Sequence, residues 1–108
     1  MPHSPDRSQD TILVEISQEL EAIVPGFLAN RRRDLTTITA CLKQGDLNTI
    51  RMLGHRMKGD GGGYGFDQIS AIGDRLELAA IAQDPASIAV EVTHLTDFLA
   101  KVTVVYTP

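Results

Sequence analysis

Apolar residues recur at helical spacing in five successive segments of this chain, and this repetition limits the fold more than any other feature. Residues three, four and seven positions apart share one face of an α-helix, so each segment predicts a helix with an apolar side. The predicted helices begin near Asp10, Pro25, Asp46, Asp67 and Asp84, and the first three end near Ile23, Gln44 and Gly62. Asp46, Asp67 and Asp84 are predicted N-caps, and Pro85 suits the first position of the last helix.

Short connections between adjacent amphipathic helices favour antiparallel neighbours. We therefore predict an all-α fold, an antiparallel up-down four-helix bundle with an additional N-terminal helix. No strand is predicted, and the β-branched tail VTVVYT leaves its own conformation open. Residues 1–9, which include two prolines, are interpreted as a disordered N-terminal tail, and residues 10–108 as a single helical domain. The charged stretch 31–34 is interpreted as a solvated helix face.

Composition limits the class of protein. The chain has 108 residues, 43% of them hydrophobic, which suffices for one modest core but not for a large cofactor-binding enzyme with separate domains. A net charge of -4 gives no indication of binding to nucleic acid or to an acidic membrane surface. The single cysteine, Cys41, excludes an intrachain disulfide, and neither a signal peptide nor a membrane span is evident. We expect a cytoplasmic monomer whose helices close their own core.

The segment LGHRMKGDGGGYGF, residues 53–66, is the part of the sequence that indicates chemistry. On a helix, Ile50 and Met57 lie within about 60° of each other and mark the side that faces the core. His55 lies about 140° from Ile50 and is therefore predicted to face solvent. An imidazole that is neutral for part of the time at cellular pH has a ring nitrogen whose lone pair can attack phosphorus.

The neighbours of this imidazole suit the transfer of an anionic group. Lys58 lies one turn further along the helix, where its ammonium can pair with phosphoryl oxygens. Gly59 and Gly62 lie within about 40° of the histidine and leave the surface open for the backbone of a partner. Arg51 and Arg56 make this stretch basic, which would complement a partner with an acidic site.

Other chemistries fit the sequence less well. The glycine-rich stretch is not a phosphate-binding P-loop, because no strand precedes it and no Gly-Lys-Ser/Thr follows. No metal site is predicted, because Cys41, His55 and His94 are far apart in the sequence. Hydrolytic catalysis needs a second group that orients the histidine, and Asp60 lies about 140° away from His55 on the helix.

The segment HRMKG, residues 55–59, resembles the phospho-accepting motif of histidine phosphotransfer (HPt) domains. That motif reads His, two residues, Lys and Gly, with small residues after it, and small residues follow here through Gly65. The resemblance extends over residues 25–83, where VPGFLANRRRDL is similar to the helix before the active one and IGDRLELAA to the helix after it. The motif alone is short and would match by chance. Its position on the third of five amphipathic segments makes the resemblance much more specific than the motif by itself.

The resemblance implies a four-helix bundle that takes a phosphoryl group from the aspartate of one receiver domain and passes it to another. It implies that His55 is the acceptor through Nε2, that Lys58 steadies the phosphate and that Gly59 allows docking. The implied partners are response-regulator receiver domains or a hybrid sensor histidine kinase. Mg²⁺ would belong to the receiver, so no cofactor is expected on this chain, and no independent enzymatic activity.

Two departures from the family pattern accompany the resemblance. Asp60 stands where a small or hydroxyl residue is common and adds negative charge near the phosphate, and Gly54 stands where Ala is frequent. Two other functions remain open at this point. One is a helical adaptor that docks receiver or kinase domains without being phosphorylated. The other is a small enzyme, such as a phosphohistidine phosphatase or a metal-dependent hydrolase.

Overall fold

The structure, a computed structural model, describes residues 10–108. It is mainly helical, with a pair of strands beside the helices. The elements in chain order are β1 (Ile12–Ser17), a 3₁₀ turn (Gln18–Leu20), α1 (Val24–Gln44), α2 (Leu47–Tyr64), α3 (Asp67–Ile81), α4 (Pro85–Lys101) and β2 (Val102–Thr107). Among these helices, none is long and apolar enough to cross a membrane. The predicted disordered tail lies outside the described residues.

Aspartate caps fix the starts of α2 and α4 as the sequence predicts. The Asp46 carboxylate accepts a hydrogen bond from the backbone N–H of Thr49, and the Asp84 carboxylate accepts one from Ser87. Hydrogen bonds from the hydroxyls of Thr49 and Ser87, together with these backbone bonds, lower the pKa of both aspartates. Pro85 takes the first helical position, where its missing N–H costs no hydrogen bond.

The connection between α2 and α3 differs from the prediction by one or two residues. α2 continues past Gly62 to Tyr64, and it ends where Gly65 adopts the left-handed conformation, with φ of 86°. The prediction that Asp67 is the N-cap of α3 is wrong, since Phe66 holds that position and Asp67 is the first helical residue. The Phe66 side chain is fully buried, so this turn is anchored by burial and not by a capping side chain.

The prediction of an N-terminal helix from Asp10 to Ile23 is wrong, and so is the prediction that the fold contains no strand. Every second residue of β1 faces the helices, namely Ile12, Val14 and Ile16. The segment VTVVYT forms β2, which pairs with β1 in parallel from Ile12 opposite Val102 to Ser17 opposite Thr107. The β-branched residues favour strands, but the partner strand lies far along the chain, where a local helical pattern gives no information about it.

One hydrophobic cluster joins β1 and all four helices. Its buried members are Ile16, Val24, Phe27, Leu28, Ile38, Cys41, Ile50, Met57, Phe66, Ile69, Ile72, Leu76, Ala79, Ala80, Ile88, Leu95, Phe98 and Leu99. Phe66 links the aromatic members, because its ring centroid lies 5.2 Å from that of Phe27 and 6.5 Å from that of Phe98. The four helices agree with the predicted number for the bundle, whereas their up-down order stays a prediction.

The interpretation of residues 31–34 as a solvated face is wrong for Arg31. This side chain is buried, and its guanidinium lies 4.8 Å from the ring centroid of Phe27. Its Nε lies 2.9 Å from an Asp34 oxygen in an ion pair without hydrogen-bond geometry, and Nη1 lies 3.6 Å from Asp60. Burial raises the pKa of Asp34, although the positive charge of Arg31 opposes this effect.

Three buried glycines bring the backbones of α2 and α3 into direct contact. A Cβ atom on Gly54 would lie 2.7 Å from the backbone nitrogen of Glu77. A Cβ atom on Gly73 would lie 2.5 Å from the backbone nitrogen of Lys58, and Gly61 is equally crowded. Only glycine allows so close an approach, so side chains beside these glycines on the two helices are held within reach of each other.

Candidate functional site

His55 projects from the middle of α2 into solvent, with 72% of its side chain exposed. The opposite side of the helix carries Ile50 and Met57, which are almost completely buried in the core. The predicted exposure of His55 is therefore confirmed. An imidazole in this position is accessible to a reacting group on another molecule.

Glu77 of α3 orients the exposed imidazole. Its Oε2 lies 2.9 Å from Nδ1 of His55, in a hydrogen bond that joins the two helices. An ionised carboxylate only accepts hydrogen bonds, so Nδ1 must carry the hydrogen in this contact. In the neutral ring Nε2 then has the lone pair, and it makes no hydrogen bond to any of residues 10–108. The arrangement leaves Nε2 as the ring nitrogen that is free to react with another molecule.

Lys58, one turn after the histidine, pairs with a second carboxylate of α3. Its Nζ lies 3.1 Å from Oδ1 of Asp74, and both side chains are about half exposed. The hydrogen bond from Lys58 to Asp74, and then the negative charges of Asp74 and Glu77, raise the pKa of the lysine. Lys58 is therefore firmly protonated, and its ammonium is held by Asp74.

The surface beside the histidine is open where the sequence predicts it. A Cβ atom on Gly59 would meet nothing within 4 Å, and one on Gly62 would meet only the Ser70 hydroxyl at 3.8 Å. Arg56 is exposed, and its charge acts on Asp34 of α1, so it lies on the side of α2 away from α3. The basic side chain therefore lies on the α1 side of the site and the two carboxylates on the α3 side.

Arg51 is partly buried and donates a 3.0 Å hydrogen bond to the side chain of Asn48. Two large apolar side chains near it are exposed, namely Met52 (49%) and Ile81 (59%). Met52 precedes His55 by one turn, and Ile81 shares a surface cavity with Arg51. Apolar area of this kind, close to polar groups, is typical of a protein-binding surface.

The sequence identified the α2 half of this site and missed the α3 half. Asp60 pairs with Arg31 and does not contact the histidine, as its angle on the helix predicts. The acidic residues Asp74 and Glu77 were missed, although their spacing of three residues matches that of His55 and Lys58 on the facing helix. Across residues 10–108, no group of three or more His, Cys, Asp or Glu side chains is arranged to hold a metal ion.

Comparison with known protein families identifies the family of this chain. The family model described as Hpt domain matches residues 11–103, which is nearly the whole chain. No match was found among curated proteins or among solved structures. The chain belongs to the Hpt domain family, whose members are phosphocarriers in two-component phosphorelays and work with receiver domains or histidine kinases.

Proposed function

We propose that this protein carries a phosphoryl group on Nε2 of His55, taken from the aspartyl phosphate of one receiver domain and passed to the aspartate of another. The observation that carries the proposal is the exposed imidazole whose Nδ1 is held by Glu77, so that Nε2 faces solvent with its lone pair. The match to the Hpt family supports the same role.

In the proposed transfer, the Nε2 lone pair attacks the phosphorus of the aspartyl phosphate. The N–P bond forms as the P–O bond to the aspartate breaks, and the aspartate leaves as a carboxylate. The hydrogen on Nδ1 stays in its bond to Glu77, whose charge stabilises the positive charge on the phosphorylated ring. The same steps in reverse pass the group to the next receiver.

The remaining site residues take supporting roles in this proposal. Lys58 pairs with the phosphoryl oxygens, while Gly59 and Gly62 leave room for the receiver backbone. Arg51 and Arg56 attract the acidic site of the receiver, which supplies the Mg²⁺. This chain needs no cofactor of its own, and we propose that it acts as a cytoplasmic monomer without independent catalytic activity.

The experiment that tests this function is phosphoryl uptake measured by intact mass. The protein is incubated with phosphoramidate or with a receiver domain charged by acetyl phosphate. We expect the wild type to gain one acid-labile phosphoryl group and His55→Gln to gain none while remaining folded.

His94→Gln is a matched control. His94 is also an exposed helical histidine, and its Nδ1 lies 3.1 Å from the buried Glu91, so it resembles His55 in its exposure and in the carboxylate beside Nδ1. This variant is expected to take up phosphate normally. Uptake that persists in His55→Gln would contradict the proposed acceptor. No uptake by the wild type from any donor, with binding of receivers retained, would favour the alternative of a non-phosphorylated adaptor.

A further inference from the structure

Two cross-helix pairs join α2 to α3 beside the candidate phosphorylation site. His55 bonds to Glu77 at 2.9 Å, and Lys58 pairs with Asp74 at 3.1 Å. The two α2 residues and the two α3 residues each lie three positions apart, so the pairs occupy successive turns of the contact. The cation beside the histidine is thus held by a carboxylate of this same protein.

The backbone around Asp74 is fixed. Asp74 follows Gly73, whose missing side chain allows a close contact between α2 and α3. Ser70 ties the helices together one turn earlier, because its hydroxyl donates a 2.6 Å hydrogen bond to the backbone carbonyl of Lys58. Asp74 therefore cannot move far from the site. The long side chain of Lys58 is the flexible member of the pair.

A phosphoryl group on Nε2 of His55 would compete with Asp74 for the same ammonium. The group carries about two negative charges and three acceptor oxygens, whereas the aspartate carries one charge. The phosphoryl group would also lie near Asp74, and like charges repel. Both effects lower the stability of the phosphorylated state relative to a protein whose Lys58 is unpaired.

We propose that Asp74 is a positioning residue that holds Lys58 until His55 is phosphorylated and then releases it to the phosphoryl oxygens. This inference rests on the proposed function. As a consequence, Asp74 keeps the phosphohistidine from becoming so stable that it no longer passes its phosphoryl group on. The exchange moves a protonated ammonium from one anion to another, so no proton is transferred and no covalent bond changes beyond those of the phosphoryl transfer itself.

The test is the equilibrium constant for phosphoryl exchange with one receiver domain whose aspartyl phosphate hydrolyses slowly. This constant depends only on the free energies of the separate proteins, so a change in docking alone would alter the rates and leave it unchanged. We expect Asp74→Asn to shift the equilibrium toward the phosphohistidine by about two- to fivefold, the range for an exposed ion pair. Asp74→Glu keeps the carboxylate and should therefore have the wild-type equilibrium constant.

Two comparisons make the result specific. Asp97→Asn removes the same charge from an equivalent exposed pair, in which Lys101 lies 2.8 Å from Asp97 on α4, and it should leave the equilibrium unchanged. In a Lys58→Gln background, Asp74→Asn should have a smaller effect, because the competition for the ammonium is gone and only the repulsion between Asp74 and the phosphoryl group remains.

Equal equilibrium constants for wild type and Asp74→Asn would contradict the role of Asp74 while leaving His55 as the carrier. An effect of the same size in the Lys58→Gln background would also contradict it, since the charge alone would then explain the change. A wild type that takes up no phosphate would overturn the proposed function, and the role of Asp74 with it.

Discussion

In the proposed function, Glu77 determines which nitrogen of His55 reacts. An imidazole has two ring nitrogens, and the hydrogen bond made by one of them fixes the state of the other. Here the carboxylate on Nδ1 keeps the hydrogen there, so the lone pair is on the atom that faces solvent. In this proposal Glu77 acts through the imidazole and does not touch the phosphoryl group.

We expect Glu77→Ala to disturb this preference. Without the carboxylate, the population of His55 with the hydrogen on Nε2 should increase, and uptake from phosphoramidate should slow. A lost hydrogen bond of about 0.5–1.5 kcal/mol corresponds to a change of about two- to tenfold. Long-range ¹H–¹⁵N NMR of the ring nitrogens reports the tautomer directly.

Glu77→Gln is the control for this change, because its amide oxygen can still accept the hydrogen bond from Nδ1. It should keep the wild-type tautomer. If the tautomer of His55 is the same in wild type and Glu77→Ala, Glu77 does not orient the ring.

At the scale of the elements, glycines in α2 have opposite roles according to the face they occupy. Gly54 lies against the backbone of α3, whereas Gly59 has open space around it on the exposed face. Gly54→Ala should therefore destabilise the fold by about 1–3 kcal/mol through overpacking. Gly59→Ala should stabilise it by up to about 1 kcal/mol, because alanine is the better helix former.

Urea unfolding of the two variants measures this difference. A loss of stability in Gly54→Ala would also explain why this chain has glycine where alanine is frequent in the family, since the close contact of α2 and α3 leaves no room for a Cβ atom. If Gly54→Ala unfolds at the same urea concentration as Gly59→Ala, α2 and α3 are not packed as closely as described here.

The elements also show what local sequence patterns can and cannot predict. Helix starts at Asp46 and Asp84 were predictable, because an N-cap acts on residues three positions away. The strand β1 was not predictable from local patterns, because it is stabilised by β2 about 90 residues further along the chain. Leu13, Ile16 and Leu20 satisfy a helical pattern by coincidence, while Ile12, Val14 and Ile16 satisfy the alternation of the strand.

For the molecule as a whole, half of the candidate site could be predicted from the sequence. His55 and Lys58 lie on one helix, so the geometry of a helix relates them. Their partners Asp74 and Glu77 come from the next helix, and only the packing of α2 against α3 brings them near. That packing depends on the buried glycines Gly54, Gly61 and Gly73, and the sequence alone does not show that they lie at a contact between helices.

The most direct test of the central claim is the position of phosphorus in the phosphorylated, ¹⁵N-labelled protein. Long-range ¹H–¹⁵N spectra combined with ³¹P–¹⁵N coupling identify the phosphorylated nitrogen. We expect phosphorus on Nε2 of His55, with the hydrogen retained on Nδ1 against Glu77. Phosphorus on Nδ1 of His55, or on His94 or any other residue, would contradict the site described here.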